Sequence, residues 1–389
     1  MTIKRLKRIL KRSLVNAKCA MYYRIFGLLP IKKNKIVFRR HNGLAFGDHE
    51  KYIALKLIEL GADCDMVWLV NDMDAEFPKE IRKVKNTDLH RIYELATAGV
   101  WLENCAKHRG TRKRKGQFYI NTTHGVGISM KKFCLDDRAE GKLSRKNLIH
   151  DGEIADVVLS GGKFITEVYK TAFRIKGQVL ETGSARVDIL LNHTPDDVIK
   201  VKDKLGIEKD CRLVLYAPTF RRKGNEDFHC YNLDKAALLN ALEQKFGGKW
   251  MLLVRLHPHE KKAMDTDTFP DNVLDVSDYD DIQELLIVSD VLVTDYSSVM
   301  FDFSFMKRPI FLFVNDLKEY LEQERDLYIR PDELPFSMAA TDEELHKNIY
   351  AYEEQQYKEE VERFHQKCGT VEDGKASERV ARLIMEKIQ

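Results

Sequence analysis

The sequence predicts an α/β protein of two consecutive doubly wound domains, led by a basic amphipathic helix. Three observations carry this. Short β-branched or aromatic runs alternate with helical stretches in two successive series. The 389 residues exceed what one hydrophobic core usually fills, roughly 250–300 residues. The first 47 residues hold thirteen Lys/Arg and no acid before Asp48.

The arm comes first. Ile3, Leu6, Leu10, Leu14, Ala17 and Met21 recur every three or four residues, which places them on one helical face. Lys4, Arg5, Lys7, Arg8, Lys11 and Arg12 cover the other sides. Such a helix suits an anionic membrane surface, with its apolar face down and its cations at the headgroups. Residues 1–30 are therefore expected to be a membrane-associating segment. No apolar run approaches the ~18 residues of a transmembrane helix. Charges interrupt the apolar positions, and no small-residue cleavage site follows, so a signal peptide fits poorly. Beyond residue 47 the chain carries 51 Lys/Arg against 61 Asp/Glu, a net of −10. An acidic body repels phosphate backbones, so nucleic acid is not an expected partner.

After Pro30 come strands at Lys35–Arg39, Met66–Val70, Val100–Asn104, Gln117–Thr122, Asp156–Ser160 and Val179–Gly183. Helical stretches such as Lys51–Leu60 and Phe164–Phe173 fall between them. A charged helix at Pro195–Leu205 separates this series from the next. The second series has strands at Arg212–Pro218, Trp250–Leu256, Asn272–Val276, Val291–Thr294 and Pro309–Val314. Its helices are Leu233–Phe246, Ile282–Ser289 and Ser298–Lys307, and a charged helical C-terminus is expected to clasp the surface. The expected domains are 31–195 and 196–389. Alternation of this kind implies parallel sheets whose ligands bind at the strand C-termini. The seven cysteines are dispersed without a CxxC pair, which fits a reducing compartment.

Candidate chemistry follows the strands. His124 and Gly125 end the run QFYINTT, with Lys131 and Lys132 close behind. An imidazole there can take a proton near neutral pH, and glycine lets the backbone approach a phosphate. Arg255 and His257 end WMLLVRLHP on one side of the chain, where they can hold and protonate a phosphate. Asp280 or Asp281 can cap the following helix. Asp295, Ser297 and Ser298 open a helix after Val291–Thr294, a suitable place for a diphosphate. Thr219 and Arg221, and the loop Gly183–Asp188, also follow strands. The alternatives are a loop histidine with ordinary hydrogen bonds at His124, a strand-end cluster paired to the nearby acids at Arg255 and His257, simple N-capping by Ser297 or Asp295, and structural turns with surface salt bridges in the last two loops. There is no Walker motif, GxGxxG, HExxH or GxSxG.

Taken in order, THGVGISMKK (Thr123–Lys132), GSARVD (Gly183–Asp188), YAPTFR (Tyr216–Arg221), RLHP (Arg255–Pro258) and SDVLVTDYSSVMFDF (Ser289–Phe303) resemble the CDP-glycerol:poly(glycerophosphate) glycerophosphotransferases. Thr123 stands where that family usually has Trp. The resemblance runs from about Lys35 to Ile329. It implies a GT-B-like fold and peripheral attachment to the cytoplasmic face of the membrane. It also implies transfer of glycerol phosphate from CDP-glycerol to a lipid-linked saccharide or polymer, with release of CMP. His124 is then the general base. His257 and Arg255 serve the leaving phosphate, while Gly125, Lys131, Thr219, Arg221, Asp295, Ser297 and Ser298 bind substrate. No cofactor or tightly bound metal is expected. The chain length suits a single-transfer enzyme or a capsule enzyme. The rivals are a CDP-ribitol-type transferase and a GT-B glycosyltransferase or epimerase using a sugar nucleotide. A non-catalytic membrane adaptor is a further rival, and retention of both histidines and both serines argues against it.

Overall fold

The computed structural model describes residues 3–123, 127–137, 141–219, 232–256, 269–323 and 326–389, and the side chains of these except 3–13, 143 and 323. The chain begins with α1 (Ile3–Phe26). The first sheet then forms from β1 (Lys32–Arg39), α2 (Asp48–Glu59), β2 (Asp65–Val70), β3 (Ile81–Lys85), α3 (Asp88–Thr97), β4 (Ala98–Glu103), β5 (Phe118–Asn121), α4 (Lys142–Ile154), β6 (Val157–Ser160), α5 (Lys163–Ala172) and β7 (Gln178–Glu181). The short α6 (Asp188–Asn192) and α7 (Pro195–Leu205) lead to the second sheet. That unit comprises β8 (Arg212–Tyr216), α8 (Lys235–Phe246), β9 (Trp250–Val254), β10 (Val273–Asp275), α9 (Ile282–Val288), β11 (Val291–Thr294), α10 (Val299–Ser304), β12 (Ile310–Phe313), α11 (Leu317–Gln323) and β13 (Ser337–Ala339). Helices α12 (Asp342–Tyr350), α13 (Glu354–Cys368) and α14 (Ala376–Ile388) finish the chain.

The strand orders are β3-β2-β1-β4-β5-β6-β7 and β10-β9-β8-β11-β12-β13. All neighbouring pairs are parallel. The order reverses between β1 and β4 in one sheet and between β8 and β11 in the other. Each reversal opens a crevice at the strand C-termini. The central strands are buried on both faces, as the apolar runs VVLS, VLVT and IFLF require. The two strands not read from sequence are β3 (IRKVK) and β13 (SMA), both at sheet edges. An edge strand buries less side chain, so its sequence need not be apolar.

Helix ends follow local chemistry. Thr194 and Asp197 form a reciprocal capping box on α7, Pro195 opens it, and Gly206 closes it at φ 70°. Asp281 caps α9 by accepting from the Gln283 amide.

Two elements depart from the sequence reading. Helix α1 is not wholly free. Cys19 and Tyr23 are buried in the first domain's core with Ile92, Leu95 and Ala96 of α3, and Val15, Tyr22 and Phe26 pack beside them. The opposite face leaves Leu14 70%, Met21 49% and Ile25 52% exposed, with Leu28 just beyond at 87%. The C-terminal helix does not merely clasp the surface or belong to the second domain. Val380, Ala381 and Ile384 of α14 are fully buried in the first domain's core against residues such as Ile36, Ile53, Leu57 and Val100. The chain crosses the cleft a second time, and the first domain gathers residues from both ends of the sequence.

Candidate active site

The carboxyl edges of the two sheets face each other, and polar side chains tie them together. After β1, Arg40 reaches across to the Asp280 carbonyl at 3.2 Å. From α2, Lys51 pairs with Asp281 at 2.7 Å and with Glu284 at 2.5 Å. The Tyr52 hydroxyl also donates to Asp281, at 2.8 Å. The loop Gly183–Asp188 supplies the central tie. Arg186 bonds Asp302 of α10 at 2.7 Å and Asp48 of α2 at 3.0 Å. All three are at most 6% exposed. Burial would depress the Arg186 guanidinium, but the two carboxylates outweigh it and hold its pKa above the ordinary value. Asp188 accepts from the Ala376 and Ser377 amides and so anchors the start of α14. The motif is thus a buried joint between the domains rather than a substrate loop.

In the second domain the switch point brings β8 and β11 together. The Thr294 hydroxyl donates to the Ala217 carbonyl at 2.7 Å. The Asp295 carboxylate accepts from the Thr219 amide at 2.8 Å and from the Tyr296 amide at 2.6 Å. Asp295 is 1% exposed, so it braces the two loops instead of facing solvent. Ser297 and Ser298 are half-buried at the crevice. Ser298 makes no capping bond of its own, and the Ser297 hydroxyl accepts the Val299 amide at a long 3.5 Å. Helix α10 has six residues and stops at Ser304, short of the expected Lys307, which has φ 55°. So short a helix contributes little dipole.

Arg255 follows β9. Its Nη1 donates to the carbonyls of Val276 at 3.1 Å and Tyr279 at 2.6 Å. Burial, with Arg40 adding in the same direction and Asp281 opposing, pushes this guanidinium down to about 10.

His124, Gly125, Arg221 and His257 lie outside the described residues. The chain leading to His124 is described and firmly held. The Thr122 hydroxyl donates to Glu50 at 2.5 Å. The Thr123 amide donates to Asn121 Oδ1 at 2.8 Å, and Asn121 donates to Asp151 at 2.8 Å. Thr123 itself adopts φ 42°. Burial, and then the charge of Asp48, raise the Glu50 carboxyl well above its ordinary range. Lys131 is half-buried and bridges Leu327 through its backbone, so it marks an interdomain seam and not a helix turn.

The residues that sequence reasoning missed are Arg40, Asp48, Asp302 and Glu372. Arg40 was hidden in the count of the basic arm. The carboxylates carry no local signal, because their partners are distant in sequence: Arg186 is 138 residues from Asp48.

Two doubly wound parallel sheets, each with its own switch point at the cleft, define a fold of GT-B-like architecture. The family model for CDP-glycerol:poly(glycerophosphate) glycerophosphotransferase matches residues 21–386, and the chain belongs to this family. It is a glycerophosphotransferase of teichoic acid synthesis. The teichoic acid poly(glycerol phosphate) polymerase of Bacillus spizizenii W23 is 26% identical, over 96% of this chain and 98% of that one. The teichoic acid glycerol-phosphate transferase of Staphylococcus aureus NCTC 8325 is 30% identical, over 93% of this chain and 95% of its own length. Two longer polymerases, from Staphylococcus epidermidis and Bacillus subtilis, are spanned over 51% and 53% of their length. The solved structure of the wall teichoic acid polymerase TagF superposes with TM-score 0.83 at 26% identity, covering 100% of this chain and 98% of that one. That polymerase has also been solved after soaking with CDPG. A putative UDP-N-acetylglucosamine 2-epimerase from Listeria monocytogenes, at TM-score 0.51 and 14% identity, shares the fold alone. Because a polymerase of matching length exists, chain length does not separate single transfer from polymerisation.

Proposed function

We propose that this enzyme transfers glycerol phosphate from CDP-glycerol to a hydroxyl of a lipid-linked teichoic acid acceptor at the cytoplasmic membrane face. The observation that carries the donor is the family match over nearly the whole chain, joined to a phosphate-compatible crevice at Thr219, Ser297, Ser298 and Arg255. The acceptor oxygen attacks the phosphorus bearing glycerol, a new P–O bond forms, and the bond to CMP breaks. His124 takes the hydroxyl proton, and His257 returns a proton to the departing phosphate. Arg255 and Arg221 offset its charge, and Thr219, Ser297 and Ser298 hold the diphosphate. Gly125 lets the backbone approach, and Lys131 lies on the acceptor side. Phosphoryl transfer of this kind rests on positioning and charge stabilisation.

The lipid-linked acceptor and the membrane location are supported by α1. Its Leu14, Met21 and Ile25 form an exposed apolar stripe flanked by the exposed Lys18 and Arg24. Among the described residues no helix is long and apolar enough to cross a membrane.

The test is CMP release from a panel of CDP-alcohols with lipid-linked acceptors. CDP-glycerol is expected to be used, and His124→Ala is expected to lower turnover by at least ~100-fold. Near wild-type transfer by that variant would remove His124 as the base. The CDP-ribitol arm matters because a poly(ribitol-phosphate) polymerase of Bacillus spizizenii is 27% identical over 93% of this chain.

A further inference from the structure

Arg40 and Arg255 come from opposite domains and grip adjacent carbonyls of one turn. Arg40 Nη2 donates to Asp280 O at 3.2 Å, and Arg255 Nη1 donates to Tyr279 O at 2.6 Å. The two guanidiniums are anchored on carbonyls one residue apart, close enough for the charge of Arg40 to act on Arg255. Among the described residues neither meets a carboxylate at ion-pair distance. Of the nearby acids, Asp281 holds Lys51 and Tyr52, Glu284 holds Lys51 and the Tyr279 hydroxyl, and Glu50, which feels the charge of Arg40, accepts from the Thr122 hydroxyl. Asp48 is taken by Arg186 and Asn104. The Asp280 side chain is exposed.

Arg40 is 9% exposed, and its Nε is buried without a hydrogen-bond partner. Its guanidinium lies flat against Gly47, where a Cβ would come within 2.8 Å of Nη1. The fork is therefore pre-set. Two like charges in a partly buried cleft, with spare donors and no carboxylate at ion-pair distance among the described residues, form a site that a joining anion would stabilise, with Asp281 and Asp280 offsetting part of the charge on Arg255. Burial and the repulsion from Arg40 both act on Arg255, which is pushed down to about 10.

We propose that Arg40 and Arg255 form a two-arginine clamp, spanning the cleft between the domains, that binds a phosphate group of the substrate. The clamp extends the role given to Arg255 above and rests on that reading for the identity of the phosphate. The phosphate belongs either to the donor diphosphate or to the terminal phosphodiester of the acceptor. Guanidinium forks match both, and a lysine ammonium lacks the fork. Since one arginine comes from each domain, an occupied clamp also holds the cleft closed.

The test uses the full chain with Arg40→Gln, Arg40→Lys and Arg255→Gln, and it has two readouts. The first is thermal melting with and without inorganic pyrophosphate. The wild type is expected to melt higher with pyrophosphate, and the Gln variants are expected to lose that shift. Without the anion, Arg40→Gln is expected to melt no lower than wild type, because one of two repelling charges is gone. If Arg40→Gln melts lower and keeps the full pyrophosphate shift, Arg40 is only a tie between the domains and the clamp is refuted. The second readout is steady-state transfer. Loss of one arginine is expected to lower kcat/KM about 100-fold, with little rescue by Arg40→Lys. A rise confined to the KM for CDP-glycerol assigns the phosphate to the donor, and a rise confined to the acceptor KM assigns it to the acceptor. Loss of the pyrophosphate shift in a protein that uses no CDP-alcohol would keep the clamp and overturn the proposed reaction instead.

Discussion

Glu372 takes the Ser184 amide on both carboxylate oxygens, at 3.0 and 2.8 Å, in the joint between the domains. Burial first, and then the charges of Asp302 and Asp188, push its carboxyl from an ordinary 4.5 to about 7, against the pull of Ser184. The folded state therefore holds a proton that the unfolded chain gives up. That contribution is complete below about pH 4.5 and is lost as pH rises through 7. Its size is on the order of 3 kcal/mol at most. Glu372→Gln is expected to flatten the fall in melting temperature between pH 5 and 8, read by calorimetry at several pH values. A parallel slope in wild type and variant would refute the assignment. Nothing in the run GTVEDG around Glu372 signals this role, since the groups that raise its pKa come from elsewhere in the chain. The position of Arg255, by contrast, was legible, because it follows the apolar strand run WMLLV.

At the scale of elements, α1 carries two apolar faces that a single helical period does not distinguish. Cys19 and Tyr23 are 2% and 5% exposed on the docked face, while Leu14, Met21 and Ile25 point away. Deleting residues 1–30 would therefore strip the core as well as the membrane contact, and loss of binding would be ambiguous. Replacing Leu14, Met21 and Ile25 together with Glu leaves the docked face intact. This variant is expected to keep its melting temperature within a few degrees yet fail to sediment with anionic liposomes. Full sedimentation would remove α1 as the foot. The strands β8, β9 and β11 were read correctly because both their faces are buried and their runs are apolar. Helix α14 was misplaced because its charged residues suggested a surface clasp, and only packing reveals that Val380 and Ile384 are fully buried.

Across the whole molecule, the charge split divides differently once folded. Lys35, Arg39 and Arg40, counted with the basic arm, are 2%, 5% and 9% exposed. Arg39 pairs with Glu103, and Lys35 with Glu94. Among the described side chains of the arm, Lys18, Arg24, Lys32 and Lys33 stay exposed. The domains are joined by Arg186 with Asp48 and Asp302, and by the return of α14. Arg186→Met would leave the buried Asp48 and Asp302 carboxylates without their shared guanidinium. It is expected to cost about 3–5 kcal/mol and to split the melting curve into two transitions, read by calorimetry. A single transition at the wild-type temperature would show that Arg186 is not needed to couple the domains.

The sequence by itself determined the doubly wound architecture, the basic amphipathic start and the family. These depend on local periodicity and on short motifs within single strand–loop units. Tertiary structure alone decided which arginines are neutralised and which are not. Arg186 and Arg255 follow strands in motifs of equal prominence, yet Arg186 meets two carboxylates and, among the described residues, Arg255 hydrogen-bonds backbone carbonyls. A guanidinium's role is set by the charges that folding brings within a few ångströms, and for Arg186 those charges arrive from more than a hundred residues away.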